Sequence, residues 1–310
     1  MRKVIGIGET VLDIIFKDDE PVSALPGGSV FNALISLGRS GVKASLISET
    51  GNDHIGKKII RFMEDNGVDS SNVNVYANSK SPLSLAFLNE NNDADYIFYK
   101  DHPHDQLDFI YPDIQPDDIV MFGSFYAINP VIRPQVAGLL EYAKNHGAII
   151  YYDVNFRASH RSEVMKITPN LLDNLEYADV VRGSNEDFSI LFKRNDADSV
   201  YRTDISFYCH NFIYTQGANP VEVRAEGGIK RQYPVGNTET VSTIGAGDNF
   251  NAGILFGLLQ LDVRRNDLPH LTEEKWAKII RCGMDLASEV CQQYDNYIST
   301  EFAQHYRAPL

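Results

Sequence analysis

Basic residues are scarce in this chain. Its 28 Lys and Arg stand against 42 Asp and Glu, for a formal net charge of −14. They form no cluster, which argues against a nucleic-acid footprint. An acidic chain can still hold a polyphosphate where backbone donors and a cation such as Mg²⁺ supply local positive field. Cysteine is rarer still. Cys209, Cys282 and Cys291 are an odd count with no Cys-x-x-Cys pair. They read as buried thiols in a reducing, cytoplasmic setting rather than a disulfide framework. No apolar run reaches the ~18 residues of a membrane span. The opening residues 1–8 are too short and glycine-rich for a secretory signal. Internal repeats and low-complexity tracts are absent. What is present is ordinary globular composition over 310 residues, 43% hydrophobic and 23% charged. That is enough to bury a core without disulfides or structural metal.

Short apolar runs alternate with helical periodicity. Strands are expected at 4–7, 44–48, 119–122, 148–153, 180–181 and 212–214. Several are apolar throughout, which suits a parallel sheet covered on both faces. Helices are expected at 29–38, 55–66, 131–146, 245–260 and 273–294, two of them closing on Asn-Gly or His-Gly stops. The alternation predicts an α/β three-layer α/β/α sandwich with a mostly parallel central sheet, one unit over 1–310. Two stretches break the pattern. Residues 83–89 and 94–100 read as a hairpin about the polar turn 90–93, and 10–19 is extended. Together, 10–20 and 83–101 are expected to build a small β-sheet lid. The hairpin's apolar face offers a surface for pairing with a twin in a homodimer.

Three segments carry chemistry. In Gly245-Ala246-Gly247-Asp248 a glycine turn opens a helix. Its first N–H groups have no internal partner and, with the helix dipole, make an anion site. Asp248 is either a simple cap or a general base beside bound phosphate. In Gly27-Gly28-Ser29-Val30-Phe31-Asn32 a glycine pair again precedes a helix, and its backbone with the Asn32 amide suits a polar ligand. In Asp153-Val154-Asn155-Phe156-Arg157, alternate side chains of an extended segment would share one face beyond a strand's carboxyl end, where ligands of open α/β sheets bind.

In this order and at this spacing, these segments resemble the ribokinase-like (PfkB) sugar kinase family over about residues 3–300. The opening Gly8-Glu9-Thr10-Val11-Leu12-Asp13 looks most like the fructokinase branch. The resemblance implies a β-lidded α/β fold that uses ATP and Mg²⁺ to phosphorylate a sugar hydroxyl. Asp248 matches the catalytic base, and the Gly245, Ala246 and Gly247 backbone the anion hole. Arg157 matches an arginine near the transferring phosphate or the sugar, and Asp13, Gly28 and Asn32 match sugar-binding positions, beside Gly27 and Asn155. Ser184, Thr215, Gly217, Gly245 and Gly247 fall at nucleotide-contacting positions. There are departures. Ser184 and Asp187 replace the Asn and Glu of the metal-side motif, leaving Asp187 to order Mg²⁺ through water. Pro220 replaces the last glycine of the Thr215-x-Gly217 loop. Ser242 replaces an aspartate common where a monovalent cation binds, and K⁺ dependence is not predicted.

The implied reaction is in-line transfer of the γ-phosphoryl group of ATP, with fructose or a related ketose as acceptor. A sugar acid such as 2-keto-3-deoxygluconate would need an extra cation, and a nucleoside an aromatic partner such as Phe31 or Phe98. A non-catalytic regulatory sugar or nucleotide binder is the rival outside the enzymes. A dinucleotide fingerprint at Gly6-Ile7-Gly8 fails because Val11 holds the third small position and no helix follows. His102-Pro103-His104, with Asp101 and Asp105, has no second ligand cluster and reads as a polar loop. Trp276 reads as a helix–sheet packing residue.

Overall fold

The computed structural model describes residues 2–90, 94–100, 107–237 and 239–307. The turn at 91–93, Asp101 at the end of the expected lid, and the 101–105 loop lie outside them. In chain order the strands are β1 (Lys3–Ile7), β2 (Val11–Lys17), β3 (Glu20–Gly27), β4 (Lys43–Gly51), β5 (Val68–Asp69), β6 (Val73–Tyr76), β7 (Leu83–Leu88), β8 (Ala94–Tyr99), β9 (Ile119–Gly123), β10 (Ile149–Asp153), β11 (Val180–Ser184), β12 (Phe212–Gln216), β13 (Asn219–Ala225) and β14 (Ile229–Tyr233). The helices are α1 (Ser29–Arg39), α2 (His54–Asp65), α3 (Ser124–Ile128), α4 (Arg133–Asn145), α5 (Val164–Tyr177), α6 (Asn185–Phe192), α7 (Ala197–Val200), α8 (Ala246–Gln260), α9 (Glu273–Cys291) and α10 (Thr300–His305).

The main sheet has ten strands in the order β14-β13-β12-β11-β10-β9-β1-β4-β5, with β6 also on β4. From β12 to β5 all pairings are parallel, while β13 and β14 extend the sheet antiparallel. Fully buried runs such as Ile149–Asp153 arise because both faces are covered. Val4, Leu46, Met121, Tyr151 and Ile213 pack on one side with apolar residues of α1, α2, α8 and α9. Their neighbours Ile5, Ile47, Phe122, Tyr152 and Phe212 pack on the other with α4, α5 and α6. This is the expected three-layer sandwich. Gly6 and Gly8 serve that packing. A Cβ on Gly6 would stand 2.5 Å from Val30 Cγ1, and one on Gly8 2.8 Å from Val30 Cβ. Trp276 is fully buried in the first core.

A separate sheet runs β3-β2-β7-β8. Its fourth strand, β3, was not expected. It carries Pro21 and Pro26, which suit only an edge strand. It is joined to β2 by Asp18-Asp19, both with positive φ (52° and 63°), a two-residue turn matched to strand twist. The inner face carries Ile15, Ala86 and Leu88, packed on Ile244 just ahead of α8. α5 was also unexpected, since Pro169 interrupts its helical pattern.

Candidate active site

Strands β1, β9 and β10 end on one side of the main sheet, and the small sheet lies against that side. Between them is a cleft enclosing about 590 Å³ of empty space, the solvent at its open mouth included. It is lined by Asp13 of β2, Gly28, Ser29 and Asn32 at the start of α1, Asn155 and Arg157 beyond β10, and Gly245 and Asp248 at the start of α8.

Two of the helices that open on the cleft, α1 and α8, begin at a glycine with positive φ. Gly245 has φ +76° and Gly28 φ +127°, and no side chain caps either start. A Cβ on Gly28 would stand 2.2 Å from the Glu9 carbonyl oxygen, and one on Gly245 2.7 Å from the Asn296 carbonyl oxygen. Glycine is thus required by both sterics and conformation. First-turn amides left uncapped make a site for anionic oxygen.

Asp248 lies in that first turn and is 7% exposed. Burial pushes its carboxyl up to about 7, against donation from Asn32 and the charges of Arg157 and Arg182. Asn32 Nδ2 donates to Asp248 Oδ2 at 2.8 Å. One turn on, Ser36 donates to Asn249, so α1 and α8 meet through a buried polar seam. Asp13, 5% exposed, is pushed up to about 6, again mainly by burial.

The segment after β10 departs from expectation. β10 ends at Asp153, and Asn155 has φ +36°, so the chain is not extended and the three polar residues do not share a face. Asn155 and Arg157 line the cleft, the Arg157 guanidinium 5.0 Å over the Tyr96 ring. Asp153 points into a buried network. It accepts from Arg182 Nη1 at 2.9 Å and Asn251 Nδ2 at 2.8 Å, while Arg182 Nη2 donates to Thr215 Oγ1 at 2.7 Å.

Of the expected nucleotide and metal residues, Gly245 lines the cleft, whereas Ser184, Thr215, Gly217, Gly247 and Asp187 are not among its lining residues. Ser184 and Thr215 are register partners on β11 and β12, and Gly217 has φ +60° in the β12–β13 turn. Asp187 is 3% exposed and closes a capping box on α6. Its Oδ2 accepts from Ser184 N (2.6 Å) and Oγ (2.8 Å), its Oδ1 from Phe156 N (2.6 Å). Burial pushes it up to about 6. Among the described residues no group of three or more His, Cys, Asp or Glu side chains could hold a metal ion.

Sequence reasoning missed Glu9, Tyr96, Lys100, Ser124, Phe125 and His160, which also line the cleft. Tyr96, Phe98 and Lys100 alternate along and just past β8, so strand periodicity carried them. Lys100 pairs with Glu9, and His160 stacks on Phe125, ring centroids 3.7 Å apart. Phe31 is a correction. It is 1% exposed, packed in the main core, and presents no stacking face to a ligand.

Comparison with known proteins agrees with this architecture. The family model described as pfkB family carbohydrate kinase matches residues 1–302. The 5-dehydro-2-deoxygluconokinase of Geobacillus kaustophilus is 28% identical over 247 residues, 75% of this chain and 72% of that protein. The probable chloroplastic fructokinase-6 of Arabidopsis thaliana is 24% identical over 285 residues, 88% of this chain and 72% of that protein. The crystal structure of Vibrio cholerae fructokinase, with fructose, ADP and calcium ion bound, superposes with a TM-score of 0.85 at 17% identity, covering 98% of this chain and 99% of that one. With its sandwich, small sheet and family match in agreement, the chain belongs to the pfkB family of carbohydrate kinases, phosphotransferases that act on a sugar hydroxyl.

Proposed function

We propose that the protein transfers the γ-phosphoryl group of ATP to a hydroxyl of a neutral ketose, fructose or a close relative, in the cytoplasm. The observation that carries this is Asp248. It is a buried carboxyl at the uncapped start of α8, across one cleft from Asp13, pushed up to about 7. A base is most effective when it titrates near the working pH. Asn32 fixes Oδ2, leaving Oδ1 to take the proton of the attacking hydroxyl. The Gly245 and Gly247 amides face the transferring phosphoryl group, while the Ala246 amide, expected to join them, donates to the Thr243 carbonyl at 3.2 Å; Arg157 shares the group's charge. Asp13, Gly27, Gly28, Asn32 and Asn155 hold the acceptor. Ser184, Thr215 and Gly217 take the nucleotide, and the small sheet acts as a lid that keeps water out. Mg²⁺ would add charge neutralisation on the phosphates. Asp187 does not fit a direct ligand, since three donors already occupy its buried oxygens.

The Lys100–Glu9 pair supports a neutral acceptor, because the cation is already matched inside the protein. A sugar acid is the second reading. It rests on two cations, Lys100 and Arg157, in the lining and on the 5-dehydro-2-deoxygluconokinase relative. The outer face of the small sheet, with the stacked Phe16–Phe87 pair and the exposed Ile97 and Tyr99, is the surface that a second copy would cover in a homodimer. Sedimentation analysis reads the copy number.

ADP release measured over ketoses, aldoses, sugar acids and nucleosides tests the reading. Turnover with D-fructose supports it, and turnover with sugar acids alone moves the assignment to the second reading. Sugar binding without ADP release from any acceptor would overturn it in favour of a regulatory binder.

A further inference from the structure

We propose that Asn296 is a positioning residue for the acceptor, fixing the Asp13 carboxylate and tying it to the turn that begins α8. The inference rests on the reading of Asp13 as an acceptor-binding group. Asn296 lies in the irregular segment between α9 and α10, with no exposure to solvent. Its Nδ2 donates to Asp13 Oδ2 at 2.8 Å. Its backbone carbonyl accepts from Asn249 Nδ2 at 2.8 Å, and the same amide donates to the Gly245 carbonyl at 2.8 Å. One residue therefore touches the small-sheet carboxylate and the phosphate-facing turn. The next two residues fasten the same junction. Tyr297 donates its hydroxyl to the Pro26 carbonyl, and the Ile298 amide donates to Ser36 Oγ.

Packing alone does not explain an asparagine here. Its Oδ1 is buried with no hydrogen-bond partner, a costly arrangement that an apolar residue would avoid. The Nδ2 donation to Asp13 is the side chain's return. The close fit leaves the carboxylate no slack, since a Cβ on Gly27 would stand 1.9 Å from Asp13 Oδ2 and 3.2 Å from Asn296 Nδ2.

The division between side chain and backbone gives a clean perturbation. Asn296→Ala removes the donor to Asp13 and keeps the carbonyl that holds Asn249. The groups facing Asp13 are Ser84 of β7, Glu9 ahead of β2, Tyr96 of β8, Arg157 and Tyr297. Burial already pushes Asp13 up, and Asn296 is one of the groups opposing this. Losing the donor therefore makes the ionised form more costly, an effect felt at pH 8 and largely absent at pH 5, where the carboxyl is mostly protonated.

The test compares wild type, Asn296→Ala, Asp13→Asn and the double variant. Two readouts are used: KM and kcat with the acceptor of the panel, and melting temperature without ligand at pH 5 and pH 8. Asn296→Ala is expected to raise acceptor KM about tenfold, as befits a hydrogen bond to a charged group. It should leave kcat and the KM for ATP within about twofold. Its melting temperature should fall more at pH 8 than at pH 5. In the Asp13→Asn background it should add little to either readout. Equal thermal losses at both pH values, or effects that simply add in the double variant, would overturn the proposal. Should the alanine variant not fold, Asn296→Ser offers the same contrasts. The melting comparison needs no acceptor, so it decides the role of Asn296 even if no sugar is phosphorylated and the kinase reading fails.

Discussion

Replacing Asp248 with Asn keeps the shape of the side chain and an oxygen for Asn32 Nδ2, but removes the proposed proton acceptor. General base catalysis is worth ~10²–10⁴ in rate, or about 3–5 kcal/mol of barrier. Turnover should fall by that factor while the KM for ATP holds. Stability should move the other way. In the folded protein the carboxyl is raised from 3.8 to about 7. At ~1.36 kcal/mol per unit, the ionised form costs the fold up to about 4 kcal/mol. A raised carboxyl weakens the fold as pH climbs from the unfolded value to the folded one. The penalty is therefore absent below about pH 4 and complete above about pH 7. Asp248→Asn lifts it. For a chain of this length that is a rise of up to about 6 °C in melting temperature at pH 8, fading at acid pH. Coupled detection of ADP and scanning calorimetry read the two effects. Wild-type kcat should drop about tenfold per unit below pH 7. Turnover within tenfold of wild type, or an unchanged melting temperature at pH 8, would refute the reasoning.

Three further outcomes follow from the geometry. Gly245→Ala forces an L-residue into left-handed backbone at a strain of ~1–2 kcal/mol and drives a Cβ onto the Asn296 carbonyl. Urea unfolding should begin earlier, and kcat should fall at least about tenfold as the turn shifts. Arg182→Met leaves the buried Asp153 without its ion-pair partner. Breaking such a pair costs about 3–5 kcal/mol, readable as a lower urea midpoint. Lys100→Ala separates the two acceptor readings. A sugar acid should lose about tenfold or more in KM and a neutral ketose little, so equal losses would exclude Lys100 as a carboxylate partner.

The layered architecture was legible because burial on both faces of a parallel sheet writes itself as short apolar runs, and helices write theirs as 3.6-residue spacing. The strands β1, β9 and β10 carry that signal plainly. Proline and short-range punctuation hid the rest. Pro26 masks β3 and Pro169 masks α5, since the local preference of one residue outweighs a period read over few. In the candidate site, glycine turns were visible at Gly28 and Gly245, because close approach and positive φ leave few residue choices. Asn296 had no such mark. Its partners Asp13 and Asn249 are distant in sequence, and nothing in the local pattern of 292–299 announces the contact. The Asp153 face failed for another reason. The left-handed Asn155 ends the strand alternation on which that reading relied.

Asp13 rides on β2 of the small sheet, whereas Asp248 is anchored in α8 against the large one. In the proposed reading, acceptor grip and proton removal are thus mounted on separate plates joined at a few crossings, among them Gly27-Gly28 and the Asn296 bridge. Any rocking of one plate on the other would, in that reading, change how far an acceptor hydroxyl sits from Asp248. Substitutions on the outer surface of the small sheet, remote from every reacting atom, will then register in the rate constant by changing how often the plates align.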